Sequence, residues 1–238
     1  ITRGKSDKVD AKEIANYARR NTDKIALSAL PELSLQQLKI VFAEREKTVA
    51  AIKTFERTKE NEMFLTKEVF NSVKAINNQT VKHLKKQLVM LDEKIRTLIR
   101  EDENLYGQQQ LLKSIPGIGD ITSVYILMAT KGFTAFTSGR KFACYSGVAP
   151  FEHSSGTSIK GKTRVSHLAD KKMKTLLHMA SLTAIKYDPE LKDYYNRKKA
   201  EGKHTMLVLN NIKCKMVYRI FAVIQRKSNF VNLHKFAA

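Results

Sequence analysis

Apolar positions divide the chain into three stretches. Between Ala11 and Arg20, Ile14, Ala15 and Ala18 form a short apolar helical face, entered through Asp7 and Asp10. From residue 32 to residue 106 there is neither Gly nor Pro, so uninterrupted helices are predicted. Within that stretch Val81, Leu84, Leu88, Leu91, Ile95 and Leu98 recur at alternating spacings of three and four, and Leu105 follows seven residues later. Leu35, Leu38, Phe42, Val49 and Ile52 keep a similar period with gaps, and Asn77 and Asn78 mark a candidate break. The pattern predicts a helical hairpin or coiled coil, acting as a spacer or dimer seam rather than as a binding groove. From Gly107 to Ala238 Gly and Pro return.

Composition supports a mostly α fold. The 238 residues hold only 10 Gly, 4 Pro and no Trp, which argues against a turn-rich β-sandwich. No apolar run approaches the ~18 residues that a membrane span needs, and no secretory signal is visible. A cytoplasmic protein without a membrane partner is expected, with Cys144 and Cys214 as reduced core thiols. Asn78-Gln79-Thr80 fits a glycosylation acceptor by chance. Because the first residue is Ile1 and a charged helical segment starts almost at once, the chain is expected to begin inside a longer protein.

Charge changes the picture more. Lys and Arg number 43 against 23 Asp and Glu, a formal net charge of +20. Such an excess implies a polyanionic partner. Residues 140–238 hold 20 Lys/Arg against 6 Asp/Glu, whereas residues 1–139 hold 23 against 17, so the polyanion-facing surface is expected to be C-terminal.

Three local patterns could carry chemistry. In Ile115-Pro116-Gly117-Ile118-Gly119, two glycines permit positive φ and a close backbone approach, and Asp120 or Thr122 could cap the helix that follows. A helix–hairpin–helix of this kind grips nucleic-acid backbone with free N–H groups; the bland reading is a tight helix–helix turn. In Lys5-Ser6-Asp7-Lys8-Val9-Asp10-Ala11, two carboxylates three apart share one helical face and could hold Mg²⁺; the bland reading is N-capping and dipole compensation. In His153-Ser154-Ser155-Gly156-Thr157-Ser158, followed by Lys160, Lys162 and Arg164, a hydroxyl on a Gly-containing loop among cations could meet a phosphodiester; the bland reading is an ordinary Ser-rich loop. There is no G-x-S-x-G elbow, and no His begins an H-x-x-R box that would activate Tyr145, Tyr187, Tyr194 or Tyr195.

Taken together these segments resemble the DEDD transposases of bacterial insertion sequences, relatives of the pilin-gene inversion recombinase, some of which use a bridge RNA. The residues that carry the resemblance are Ile115-Pro116-Gly117-Ile118-Gly119, Phe142-Ala143-Cys144-Tyr145-Ser146-Gly147-Val148-Ala149-Pro150 and Ser155-Gly156. Downstream, Asp188-Pro189, Tyr194-Tyr195 and Glu201-Gly202-Lys203 also match. The resemblance implies a remnant of a RuvC-like α/β domain over residues 1–31, a coiled-coil spacer over 32–106 and a helical transposase domain with a helix–hairpin–helix over 107–238. It implies that Asp7 and Asp10 are the last two acids of an Asp-Glu-Asp-Asp tetrad binding Mg²⁺, that the first two lie upstream of Ile1, and that this chain alone is inactive.

By the same resemblance Ser155, with Ser154 as the lesser choice, is the nucleophile. Contacts to DNA fall to Gly117, Ile118, Gly119, Lys160, Lys162, Arg164, Lys171, Lys172 and Lys174. The run His167 to Lys174 departs from the family pattern, with Ala169 in place of Gly and Lys174 in place of Arg. The implied partners are DNA, a structured guide RNA and one or three further copies in a homodimer or tetramer. A rival reading, a non-catalytic basic coiled coil that binds nucleic acid, explains charge, heptads and the Gly turn but leaves Asp7, Asp10 and Ser155 as coincidences.

Overall fold

The computed structural model describes residues 6–24, 32–57, 64, 66–155, 159–165 and 168–232. They form two compact units, Ile1–Glu32 and Leu33–Ala238. In the first unit, helix α1 (Asp7–Arg20) starts where Ser6 accepts a hydrogen bond from Val9 N and ends on basic Arg19 and Arg20, matching the helix dipole at both ends. None of its residues is buried, and Ile14 of the expected apolar face is 70% exposed.

The second unit opens with two long helices, α2 (Leu33–Arg57) and α3 (Lys67–Glu101). They run antiparallel. Ser34 Oγ donates to Asp102 Oδ2 at 2.7 Å, Arg45 pairs with Asp92 at 2.6 Å, and Glu56 pairs with Lys85 at 2.8 Å. Leu35, Leu38, Phe42 and Ile52 of α2 and Ile95, Leu98 and Ile99 of α3 are buried, while Val81, Leu84, Leu88 and Leu91 are half-buried. Much of the heptad seam thus packs within the chain, in the hairpin form of the two forms that the pattern allowed. Two details differ from the sequence pattern. Asn77 and Asn78 lie inside an unbroken α3, because a partly exposed helix tolerates Asn at a small propensity cost. Leu105 does not extend the seam: Asp102 caps α4 (Glu103–Lys113) through Leu105 N at 3.0 Å, and the chain turns there.

Beyond α4 come α5 (Asp120–Thr130), α6 (Gly139–Tyr145), strands β1 (Phe151–Ser155) and β2 (Ile159–Arg164), then α7 (Lys171–Tyr187), α8 (Pro189–Ala200) and α9 (Thr205–Arg226). Helix α9 packs against α4, α6, α7 and α8 and buries Val208, Ile212, Met216, Val217, Ile220 and Val223. Each such side chain contributes about 1.5–3 kcal/mol by leaving water. Asp188 joins three elements: it caps α8 through Leu191 N and pairs with Arg219 of α9, where its carboxylate is fully buried.

The chain is mostly α, as expected, with one correction. The Ser-rich segment read as a loop, and the basic run after it, form an antiparallel hairpin in which Ser155 pairs with Ile159, Ser154 with Lys160 and Phe151 with Arg164. Neither strand shows alternating apolar residues. Backbone pairing across a three-residue connection makes the hairpin, so a hydrophobic-period reading missed it. Gly156, Thr157 and Ser158 of that connection lie outside the described residues.

Candidate nucleic-acid interface

The turn between α4 and α5 uses its glycines for two purposes. Gly117 has φ +94°, and a β-carbon there would lie 2.3 Å from Ala180 O of α7. Its close approach is to another helix, and Ile115 and Ile118 on either side are buried. Gly119 has open space where a β-carbon would stand. It also forms the N-cap of α5 without any side-chain cap, in place of the expected Asp120 or Thr122. Asp120 is already helical and pairs with Lys113 at 2.6 Å, which removes it from the capping position. The first-turn amides of α5 are therefore left without a side-chain acceptor.

The hairpin is rooted in a tightly specified corner. Gly147 has φ +64°, and a β-carbon on it would lie 2.6 Å from Ala169 Cβ, so only Gly lets this turn sit against the entry to α7. Asp170 closes the corner. Its Oδ2 accepts hydrogen bonds from Tyr125 Oη at 2.9 Å and Tyr145 Oη at 2.8 Å, and its Oδ1 caps α7 through Met173 N at 2.9 Å. Its own N–H donates to Tyr145 O at 2.9 Å. Burial, then the hydrogen bond to Asp170, pushes the Tyr145 phenol up to about 12, and the same causes raise Tyr125 further. Asp170 was legible only as one residue of a basic run; its role needs α5, α6 and α7 brought together.

Cations gather around this corner. Lys171, Lys172 and Lys174 occupy the first turn of α7, which has no acidic residue. Three ammonium groups at the positive end of a helix dipole are unfavourable for the isolated protein and favourable to an anion. Lys171 is exposed and Lys174 half-buried, whereas Lys172 forms an ion pair with Glu46 of α2. A cavity of about 450 Å³ opens beside that pair, walled by Phe42, Tyr125 and Tyr145 and rimmed by Lys39, Lys131 and Lys172. Along β2, Lys160, Lys162 and Arg164 take alternate backbone positions.

Lys213 of α9 was not singled out by sequence reasoning, because nothing in its heptad neighbours marks it. It is 3% exposed, and burial, followed by the charge of Lys174, lowers its ammonium below the usual lysine value. Cys144 and Cys214 are free thiols, but both are half-buried rather than in the core as expected.

Asp7 and Asp10 sit in the first turn of α1, both exposed and without an ion pair among the described residues. Two free carboxylates one helical turn apart are a donor set that Mg²⁺ accepts, since it takes oxygen ligands and few carboxylates per site. Among the described residues no cluster of three or more His, Cys, Asp or Glu side chains could hold a metal. No helix of these residues is long and apolar enough to cross a membrane.

Fold and site together define a basic, mostly helical protein with a cluster of lysines at the start of the helix that follows its two-stranded hairpin. Residues 109–196, from α4 into α8 and including that hairpin, match the transposase family described as IS116/IS110/IS902. The chain is 28% identical over 159 residues to the pilin gene-inverting protein of Moraxella bovis, covering 66% of this chain and 49% of that protein. It is 33% identical over 134 residues to the insertion element IS900 42 kDa protein of Mycobacterium paratuberculosis, covering 54% of this chain and 33% of that one. A 43.6 kDa protein of insertion element IS110 from Streptomyces coelicolor is 33% identical over 100 residues, 42% of this chain and 24% of its own length. The chain is thus similar to the IS116/IS110/IS902 transposases over residues 109–196, and it spans half or less of the length of the relatives it matches.

Proposed function

We propose that the protein is part of a DNA transposase or site-specific recombinase that cuts and rejoins DNA through Ser155. The observation that carries this reading is that the transposase match spans the Ser155 hairpin and the lysine-rich start of α7 together. Ser155 Oγ would attack the phosphorus of a DNA phosphodiester, forming a phosphoserine bond while the P–O bond to the sugar breaks and the leaving oxygen takes up a proton. A hydroxyl from the second strand would then attack the same phosphorus and release the serine, so the strands are joined without an external energy source. Lys160, Lys162, Arg164, Lys171, Lys172 and Lys174 would hold backbone phosphates, and the α4–α5 turn at Gly117, Ile118 and Gly119 would present amides to another. Asp7 and Asp10, with two acids contributed by the remaining length seen in the relatives, would hold Mg²⁺. That ion would supply charge stabilisation at the phosphate and activation of the hydroxyl. Two or four copies would act together, and a structured RNA is a further candidate partner.

The test is covalent capture on a nicked DNA substrate by the full-length protein, with peptide mass mapping of the adduct. Ser155→Ala should lose the adduct and keep DNA binding, while Ser154→Ala should retain some adduct. An adduct on Ser154, Tyr194 or Tyr195, or one persisting in Ser155→Ala, would refute the assignment. Loss of adduct and binding together would point to the non-catalytic reading, with Ser155 shaping the hairpin.

A further inference from the structure

Among the described residues, several partly buried cations have acids beside them. Arg45 pairs with Asp92, Lys172 with Glu46 and Arg219 with Asp188. Lys213 breaks the pattern. It is the most buried of these cations, and its side chain has no ion pair or hydrogen bond among the described residues. Among the described residues, the charge that acts on it is another cation, Lys174 of α7, which is half-buried and also has no ion pair there.

Lys174 lies at the root of the hairpin, and Lys213 is on the helix that reaches the same turn. Lys174 Cδ lies 3.6 Å from the point where a β-carbon on Gly147 would stand. Asn210, three residues before Lys213 and so on the same face of α9, donates from Nδ2 to Val148 O at 2.9 Å. The Gly147–Val148 turn leads into β1, and β2 returns to Ala169 and Asp170. Lys174 and Lys213, from two helices, thus lie close enough to act on each other, beside residues that lead into the strand pair. An ammonium stem lying along apolar surface with its head in water accounts for a single lysine. It does not account for two neighbouring lysines with no acid beside them among the described residues, since a largely buried ammonium next to a second cation is costly. An anion would remove that cost.

We propose that Lys174 and Lys213 form a phosphate-binding pair at the foot of the β1–β2 hairpin, and that the phosphate belongs to the backbone of a nucleic-acid strand lying along the hairpin. The identity of the strand rests on the reading under Proposed function; the anion site does not. From Phe151 to Ser155 the strand rises roughly 13 Å at about 3.3 Å per residue, so this phosphate lies on the order of 13 Å from the one that Ser155 would attack. The pair acts as an anchor that sets how far the strand reaches along the hairpin.

The experiment uses this chain and the variants Lys213→Met and Lys174→Met, which keep an unbranched apolar stem and lose the charge, with exposed Lys192→Met as control. Binding of labelled DNA and RNA oligonucleotides is measured against salt, and the Lys213 side-chain resonance is followed by NMR during titration with oligonucleotide or inorganic phosphate. Each site variant should bind about tenfold more weakly and lower the salt slope by about one. Lys192→Met should change affinity by less than about twofold. Lys213→Met without ligand should be at least as heat-stable as the parent, an outcome that a purely structural lysine would not give. Whichever of DNA and RNA shows these losses is the source of the phosphate. Should both variants remain folded and bind oligonucleotides as the parent does, the anchor is refuted while nucleic-acid binding stands. If the Lys213 resonance moves with inorganic phosphate while the chain binds neither DNA nor RNA, the anion site survives and its proposed occupant is wrong. A resonance that responds to nothing refutes both.

Discussion

Asp170 shows how much one carboxylate can organise. It accepts from two phenols and one helix N-terminus, and its backbone donates to Tyr145. Asp170→Ala removes the cap of α7 and leaves two partly buried hydroxyls without their acceptor, so a loss of about 2–4 kcal/mol in denaturant unfolding is expected. Ultraviolet titration of the phenols gives an independent readout. Tyr145 holds its proton more tightly when folded, up to about 12 against 10.0 unperturbed. Its contribution to stability is therefore intact below pH 10 and is lost as pH rises through about 12. In Asp170→Ala the phenol should titrate earlier but still above its ordinary value, because burial, the larger cause, remains. An unchanged titration would show that the carboxylate does not reach the ring.

Among the elements, the α2–α3 hairpin shows where a periodic pattern is informative and where it is not. Its register is pinned by Arg45–Asp92 and Glu56–Lys85, and its apolar face is continuous with the core through Phe42, whose ring lies 5.6 Å from that of Tyr125. Leu88→Asp combined with Leu91→Asp puts two carboxylates into a half-buried seam, and loss of helical circular dichroism is expected at temperatures where the parent is folded. Because this seam packs α3 on α2 in the same chain, the loss should not depend on protein concentration. Strong concentration dependence would show instead that the seam joins two copies.

Over the molecule as a whole, charge asymmetry sets the behaviour. Residues 140–238 carry most of the excess of the +20 net charge, and they include β2 and the start of α7. Affinity for duplex DNA should fall steeply with salt and depend little on sequence. Replacing Lys160, Lys162 and Arg164 together by Gln should lower the salt slope by about three, on the order of one per phosphate contact. A slope equal to that of the parent would put the binding face elsewhere.

Composition, the absence of Gly and Pro from 32–106 and the heptad spacing were enough to make the chain mostly α, because helix formation follows local periodicity and propensity. Charge was enough to put most of the cationic excess in residues 140–238, since net charge needs no fold to be counted. The β1–β2 hairpin was beyond that reach: its strands carry no apolar alternation, and backbone pairing leaves little mark in side-chain chemistry. Gly117 could be read as a residue of special backbone, but only the packed structure shows that α7 is what it admits. Asp170 and Lys213 depended wholly on tertiary structure. What makes them distinctive is which groups lie beside them — two tyrosines from α5 and α6 in one case, a second lysine and, among the described residues, no acid in the other — and those neighbours are brought close only by folding.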